Sequence, residues 1–359
     1  MKQSIAQAKD IPESYLKYTG RKTAIIISLA LLTVVLGIFA ICAGSADLTP
    51  GQVVMTLLGK GSESSQLIIW NIRLPRVLAA IIAGAALSVA GCVMQNILRN
   101  PLASPFTLGI SQGAAFGAAL AIVVLGAGSM QSRSADAVII GNPYIVTISA
   151  FVFSMAATLV ILFLASRVGV TPEAMVLAGV ALGSLFAAAT TLIQFFAQDV
   201  QVAAIVFWTF GDLGRASWPD VRIMFFLVML ALLYFMLHRW DYNAIDSGEE
   251  TAKGLGVDVE KLRLGGMLIS SLITSVAVAF LGIIGFIGLV APHMMRRVIG
   301  GDHRFLIPGT TVMGCLLLLA SDTLARTIIK PVVLPVGAIT SFMGAPLFLY
   351  LLSRGFKKK

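Results

Sequence analysis

Charge is what this sequence has least of. Only 12% of its 359 residues are charged, where a soluble domain carries roughly 25%. So few polar groups cannot cover a water-facing surface, which excludes an ordinary soluble fold. Cysteine and histidine are scarce as well, three of each. Cys42, Cys92 and Cys315 lie in or at the ends of apolar runs without metal-ligand spacing, and read as small packing residues. His238, His293 and His303 are scattered near span ends and read as packing or capping groups, ahead of metal binding. A phosphate-binding Gly-x4-Gly-Lys-Ser/Thr loop is missing, as is any cluster of hydrolytic or redox side chains. No catalytic residue, metal or cofactor is therefore expected in this chain. Energy for uphill work must come from a partner or an ion gradient. An ion-coupled carrier usually keeps acids inside the membrane, and here they are few. Asp322 is the main exception. Arg326 follows it by one helical turn, so the two read equally as a structural ion pair or a coupling site.

What is abundant is apolar sequence, 58% of the chain. Charge-free runs cover 23–46, 77–98, 100–132, 137–166, 174–198, 223–238, 264–295, 305–321 and 331–353. A spanning helix needs about 20 such residues. As one helix, 264–295 would extend roughly 48 Å against a hydrocarbon core of about 30 Å. It contains Gly282, Gly285, Gly288 and Pro292, which favour a break, so it is split, making ten spans. With both termini in the cytoplasm, Arg99, Arg167, Arg239, Lys253, Lys261, Arg263, Arg296, Arg297, Arg304 and the Lys357–Lys359 tail all fall inside. The net charge of +9 thus reads as topology and not as nucleic-acid binding. The expected fold class is all-α. It is a polytopic protein of the cytoplasmic membrane with about ten transmembrane helices, a cytoplasmic segment 1–22, a transmembrane domain 23–355 and a basic tail 356–359. The run 23–46 is longer than a signal-peptide core and reads as a retained first helix.

Local signals place several helix ends. Thr49-Pro50-Gly51-Gln52 predicts a short amphipathic helix over about 50–58. Thr171-Pro172-Glu173 and Ser217-Trp218-Pro219-Asp220 start the fifth and sixth spans in the same way. Trp208 and Trp218 bracket an outer loop, as interfacial aromatics do. Small residues at Gly84, Ser88, Gly91 and at Gly109, Gly113, Gly117 predict close helix packing. Gly91-x7-Arg99 and Gly288-x7-Arg296 hint at an internal repeat. Between His238 and Arg263 the chain turns polar and holds six of its 17 acidic residues. That island must lie in water, where a soluble partner can grip it. Ser247 is placed to cap a short helix with Glu249 and Glu250 in its first turn, ended by Gly254 or Gly256.

Motifs along the whole chain then form one ordered set. They are Arg73-Leu74-Pro75-Arg76; Gln95-x3-Arg99-Asn100-Pro101-Leu102-Ala103-x-Pro105-x2-Leu108-Gly109; Leu177-Ala178-Gly179; and Trp208-x2-Gly211. Gly248-Glu249-Glu250-x-Ala252-x2-Leu255-Gly256 follows, then Gly285-Phe286-Ile287-Gly288-Leu289-x2-Pro292-His293-x2-Arg296. Asp322-x3-Arg326 and Leu334-Pro335-x-Gly337-x2-Thr340-x3-Gly344-Ala345-Pro346-x-Phe348 complete it. Over about residues 20–355 this set resembles the FecCD-type permeases of ABC importers, which take up iron chelates, haem, cobalamin and, in some members, molybdate. Val333 departs from it, standing where the family commonly has an acid.

The resemblance implies a permease that pairs with a second permease subunit, as a homodimer. Two cytoplasmic ATPases, which hold ATP and Mg, and an external substrate-binding protein complete the importer. It implies that the loop 239–263 couples to the ATPase through Asp246, Glu249, Glu250, Ala252, Leu255, Gly256 and Val257. Arg73, Arg76 and Arg326 match positions that meet acidic residues of the binding protein, and are expected to stand exposed. The fifth span should line the pathway with Thr190, Thr191 and Gln194, helped by Thr340 and Ser341 of the tenth. Thr171, Pro172 and Glu173 fall near the cytoplasmic gate. The Thr and Ser residues read equally as packing groups. An ion-coupled secondary carrier, and a membrane enzyme or scaffold, are the alternatives from other classes.

Overall fold

The computed structural model describes residues 13–44, 49–130, 138–140, 142–168, 171–329 and 332–355. Most of the 1–22 segment and the tail 356–359 lie outside the described residues. The chain is a bundle of helices. Helix α1 is Glu13–Cys42, α2 is Pro50–Leu57, α3 is Glu63–Ile97 and α4 is Ile110–Val123. Next come α5 (Pro143–Val168), α6 (Pro172–Phe196), α7 (Asp199–Thr209) and α8 (Trp218–Leu237). A helical hairpin, α9 (Arg239–Asp246) and α10 (Glu249–Gly254), precedes α11 (Val259–Leu281). Then follow α12 (Ile287–Ile299), α13 (His303–Thr327) and α14 (Val336–Gly355). Among the described residues, the all-α expectation is modified only by β1 (Gly128–Met130) and β2 (Val138–Ile140), which pair antiparallel.

Among the described residues, seven helices are long and apolar enough to cross a membrane: α1, α3, α5, α6, α8, α11 and α13. Three shorter apolar helices, α4, α7 and α14, accompany them. The run 100–132 is therefore not one long span. A 3-10 turn at Pro105–Leu108 and the left-handed Gly109 (φ 80°) precede α4, which has only 14 residues. The split in 264–295 falls at the glycines: Gly282 has φ 80° and Phe286 is left-handed at φ 68°. Pro292, expected to help break the run, lies inside α12.

The predicted caps form. The Thr49 N–H donates to the Gln52 side chain at 2.9 Å, and Thr171 caps α6 by accepting from the Ala174 N–H. The Ser217 N–H and hydroxyl donate to the Asp220 carboxylate at 2.9 and 2.6 Å. Trp208 is corrected: it is buried at 3% exposure, because α7, which the sequence did not signal, folds it against α4 alanines. Trp218 remains partly exposed and donates to the Trp70 carbonyl at 2.8 Å.

Helix α3 is the hub. Of its most apolar window 89% is buried, against 11% for α6 and 17% for α1. It packs on α8, α11, α12 and α13. The packing depends on glycine. A Cβ on Gly91 would strike the Gly288 backbone of α12, and one on Gly84 the Gly314 backbone of α13. The two halves of the suspected repeat thus meet at their glycines, and the Arg296 guanidinium bonds the Gln95 side chain at 3.1 Å. Overpacking a well-filled core costs about 1–3 kcal/mol. Here the obstacle is backbone, so Gly91→Ala should lose at least that much, measured as a lowered melting temperature in detergent.

Candidate functional site

The polar island folds into the α9–α10 hairpin at the end of the bundle that carries Arg99, Arg263 and Arg296, called here the basic end. Ser247 does not cap α10. It ends α9, and the residue before α10 is Gly248 at φ 116°. Glu249 and Glu250 do occupy the first turn. The far end closes with Gly256 at φ 85°. Its N–H bonds the Lys253 carbonyl at 2.9 Å, and the Val257 N–H bonds the Ala252 carbonyl at 3.0 Å. This is a left-handed glycine cap, which satisfies the last carbonyls of so short a helix.

The hairpin is tied down from below. Asn96 of α3 donates to the Tyr242 carbonyl at 3.1 Å and to the Asp246 carboxylate at 2.7 Å. Asn243 donates to Asp302 at 3.0 Å and accepts from the His303 N–H at 2.8 Å. Arg263 pairs with Glu249 and donates to the Ile97 carbonyl at 3.1 Å. Tyr242, Ile245 and Ala252 have no exposure. Burial raises the pKa of Asp246.

What the hairpin shows to solvent is its tip. Leu255 is 70% exposed and the Glu250 side chain 96% exposed. Val257 is half-buried beside them. Of the seven residues expected to couple, Glu250, Leu255 and Gly256 are therefore presented outward. Ala252 anchors the helix, and Glu249 and Asp246 hold it to the bundle. The anchors Asn96, Asn243, Arg263, Asp302 and His303 were not singled out from the sequence as a site. Their only signal was polar side chains at span ends.

Asp302 reports on this anchoring. Burial opposes its charged form, but hydrogen bonds from Arg304 and Asn243 outweigh that and hold its pKa at about 2, below the ordinary 3.8. A depressed carboxylate contributes stability above its unfolded value and loses it as pH falls through the folded value. The Arg304 guanidinium also lies over the Trp240 ring of α9 at 4.7 Å. Trp240 fluorescence should therefore show an acid transition below about pH 3.8, and Asp302→Asn should flatten it.

The base of α10 shares a cleft with α5 and α6. A cleft of about 190 Å³ is lined by Ala165 of α5, Met175 of α6, Glu249 and Lys253 of α10, and Val259, Glu260, Arg263 and Leu264. Thr171, Pro172 and Glu173 start α6 at the same end. The cleft thus joins α10 to residues near the end of α5 and the start of α6.

At the opposite end the three arginines are corrected. Arg73, Arg76 and Arg326 are buried, at 5%, 8% and 8% exposure. Asp322, with no exposure, accepts from Arg76 at 2.9 and 2.8 Å and from Arg326 at 3.0 Å. Arg73 donates to the Ile41 and Cys42 carbonyls at 2.7 and 2.8 Å. Arg326 donates to those of Ala40 and Ala43 at 3.2 and 3.0 Å. The last carbonyls of a helix have no partner within it and carry its negative end. These guanidiniums supply that partner for α1. Of the two readings of Asp322, the geometry is that of a structural ion pair.

The candidate pathway helices leave large apolar side chains uncovered. On α6, Leu177, Leu185 and Phe195 are 70%, 62% and 79% exposed, and on α14 Phe342 is 78% exposed. Thr191 is exposed, while Thr190 and Gln194 are half-buried on its flank. The Thr190 and Thr191 hydroxyls return to the carbonyls of Phe186 and Ala187. Those of Thr340 and Ser341 return to Gly337. Among the described residues, the polar groups on these faces are hydroxyls and the Gln194 amide.

This arrangement has relatives. A profile of the FecCD transport family matches residues 32–354. A Methanocaldococcus jannaschii protein named as an ABC transporter permease is 57% identical, over 97% of this chain and 99% of its own. The hemin transport system permease protein HmuU of Yersinia pestis is 38% identical, over 91% of this chain and 96% of its own. A solved inward-facing metal-chelate type ABC transporter matches with a TM-score of 0.81 at 28% identity, covering 92% of this chain and 99% of that one. With the profile spanning most of its length, this multi-pass membrane chain belongs to the FecCD transport family.

Proposed function

We propose that this chain is the permease subunit of a binding-protein-dependent ABC importer for a metal chelate such as a ferric siderophore or haem. Cobalamin and molybdate are the other cargoes of the same architecture. The observation that carries the reading is the α9–α10 hairpin: a short helix, rigidly anchored, with an apolar residue at its exposed tip and a cleft shared with α5 and α6. Two ATPase subunits holding ATP and Mg would seat on that tip. The basic end would then face the cytoplasm, with both termini there.

The bare apolar faces of α6 and α14 support pairing with a second copy of this chain, the pathway running between them. Its lining of weak hydroxyls suits a large hydrophilic cargo that must pass without sticking. A substrate-binding protein would dock at the opposite end. The buried arginines there would shape that surface from beneath, leaving the contact to neighbours such as the half-exposed Asp212, 3.7 Å from Arg76. Against ion-driven transport stands Asp322, whose carboxylate is already held by two arginines.

Purification of the chain together with a phosphate-loop ATPase and its binding protein tests this reading. ATP hydrolysis in proteoliposomes should rise when binding protein loaded with haemin, a ferric siderophore or cyanocobalamin is added. A chain that neither binds the ATPase nor changes its rate would overturn the assignment.

A further inference from the structure

Helix α11 carries four hydroxyls, Ser270, Ser271, Thr274 and Ser275, at its midpoint. All four residues have no solvent exposure, and none of the hydroxyls has a hydrogen-bond partner among the described residues. A fifth unpartnered, fully buried hydroxyl is Thr158 on α5. An orphaned buried polar group costs roughly 1–3 kcal/mol, so several together need a partner.

Other helices of this molecule show what hydroxyls do without one. Thr33, Thr190, Thr191, Thr311, Ser321 and Thr323 each donate to the carbonyl four residues back, at 2.7–3.0 Å. Helical serines and threonines have this bond within reach. The α11 hydroxyls turn away from it. Their spacing, i, i+1, i+4 and i+5, puts them on one face. That helix packs on α3, whose buried residues from 79 to 90 are rich in alanine, and on α5. The α5 and α11 helices run antiparallel. Ala165 lines one cleft together with Val259 and Leu264, and Val146 lines another, at the opposite end, together with Ala279. Thr158 therefore falls near the depth of the α11 hydroxyls.

Side chains four apart on a helix lie about 5–6 Å from each other. One water making two hydrogen bonds of about 2.8 Å bridges that distance. Ser270 with Thr274, and Ser271 with Ser275, form two such pairs. We propose that the α11 face is a buried water site, with water bridging these two pairs and extending to Thr158. Buried waters take two to four polar partners, which this set supplies. The site lies between the helix that leaves the coupling hairpin and the helix that enters the gate turn. Under the importer reading, exchangeable water bonds let α11 shift against α5 where fixed packing would lock them. The water site itself does not depend on that reading.

X-ray radiolysis of the full-length chain in lipid nanodiscs prepared in ¹⁸O-water tests it. Bound water yields hydroxyl radicals in place, and Met267, with no exposure and one turn before Ser271, is the reporter. Met224 on α8, 1% exposed among apolar neighbours, is the dry reference. Met267 should take up ¹⁸O several-fold more than Met224. The combined variant Ser270→Ala, Ser271→Ala, Thr274→Val, Ser275→Ala should bring it down to the reference. Thr274→Ser, which keeps the hydroxyl, should preserve the label and guards against a variant that misfolds. Equal labelling of the two methionines in the native chain, or labelling unchanged in the combined variant, would overturn the proposal.

Discussion

Replacing Leu255 with aspartate is expected to abolish the coupling of ATP hydrolysis to uptake while leaving the permease folded. Leu255 is 70% exposed, so its removal takes little from the core. It sits at the tip of a helix that is held by the buried Ala252 and pinned at its other end by the Glu249–Arg263 pair. An apolar side chain at the centre of a small rigid contact is where binding energy concentrates, and losing such an anchor costs about 2–4 kcal/mol. That equals about a 30-fold to about a 1,000-fold weaker association. A carboxylate there would also carry a charge into that contact. Co-purification of the ATPase with the variant measures the loss, and an unchanged melting temperature shows that the fold survives. Glu250→Lys is the milder companion, since its side chain is almost wholly in solvent. Glu249→Lys is a different experiment. It breaks the internal pair with Arg263 and puts two cations together, so it loosens the hairpin as well as changing its surface. Leu255→Asp with normal ATPase binding and normal uptake would remove the hairpin from the mechanism.

The second large effect is expected at Asp322→Ala, and it falls on stability. The carboxylate is completely buried and holds two arginines. Removing one partner of a buried ion pair costs about 3–5 kcal/mol, because the charges left behind are uncompensated. Here two guanidiniums remain, beside the half-exposed Asp212 and the last carbonyls of α1. The junction of α1, α3 and α13 should open first, seen as a melting temperature lowered well beyond that of Gly256→Ala, a strained but exposed position. Replacing Arg76, Asp322 and Arg326 together by apolar residues of similar volume should recover much of the loss, since apolar isosteres of a whole buried pair or triad are often neutral. If Asp322→Ala melted like the native chain, Asp322 would not be the keystone of that junction.

Burial is what separates the readings that held from those that were corrected. Apolar run length and basic residues located the crossing segments, because hydrocarbon and water impose opposite demands on every residue in turn. Thr49 and Thr171 placed helix starts correctly, since a cap is a bond between neighbours. Arg73, Arg76 and Arg326 look identical in sequence whether they face solvent or Asp322. Arg76 and Asp322 are 246 positions apart, and no local pattern joins them. Trp208 was misplaced for the same reason: α7 is too short for a periodic signal to stand out, yet it turns the ring inward.

The sequence alone therefore determined the solvent of this protein, its many crossings, its family and the polar hairpin that breaks them. These follow from composition and from interactions a few residues long. Only the tertiary structure decided which charges are surface and which are struts. It also decided that Leu255 and Glu250 face outward while Glu249 is tied to Arg263, and that four hydroxyls of α11 share a buried seam. Each of these is a contact between distant segments, and its energy depends on what water the fold excludes.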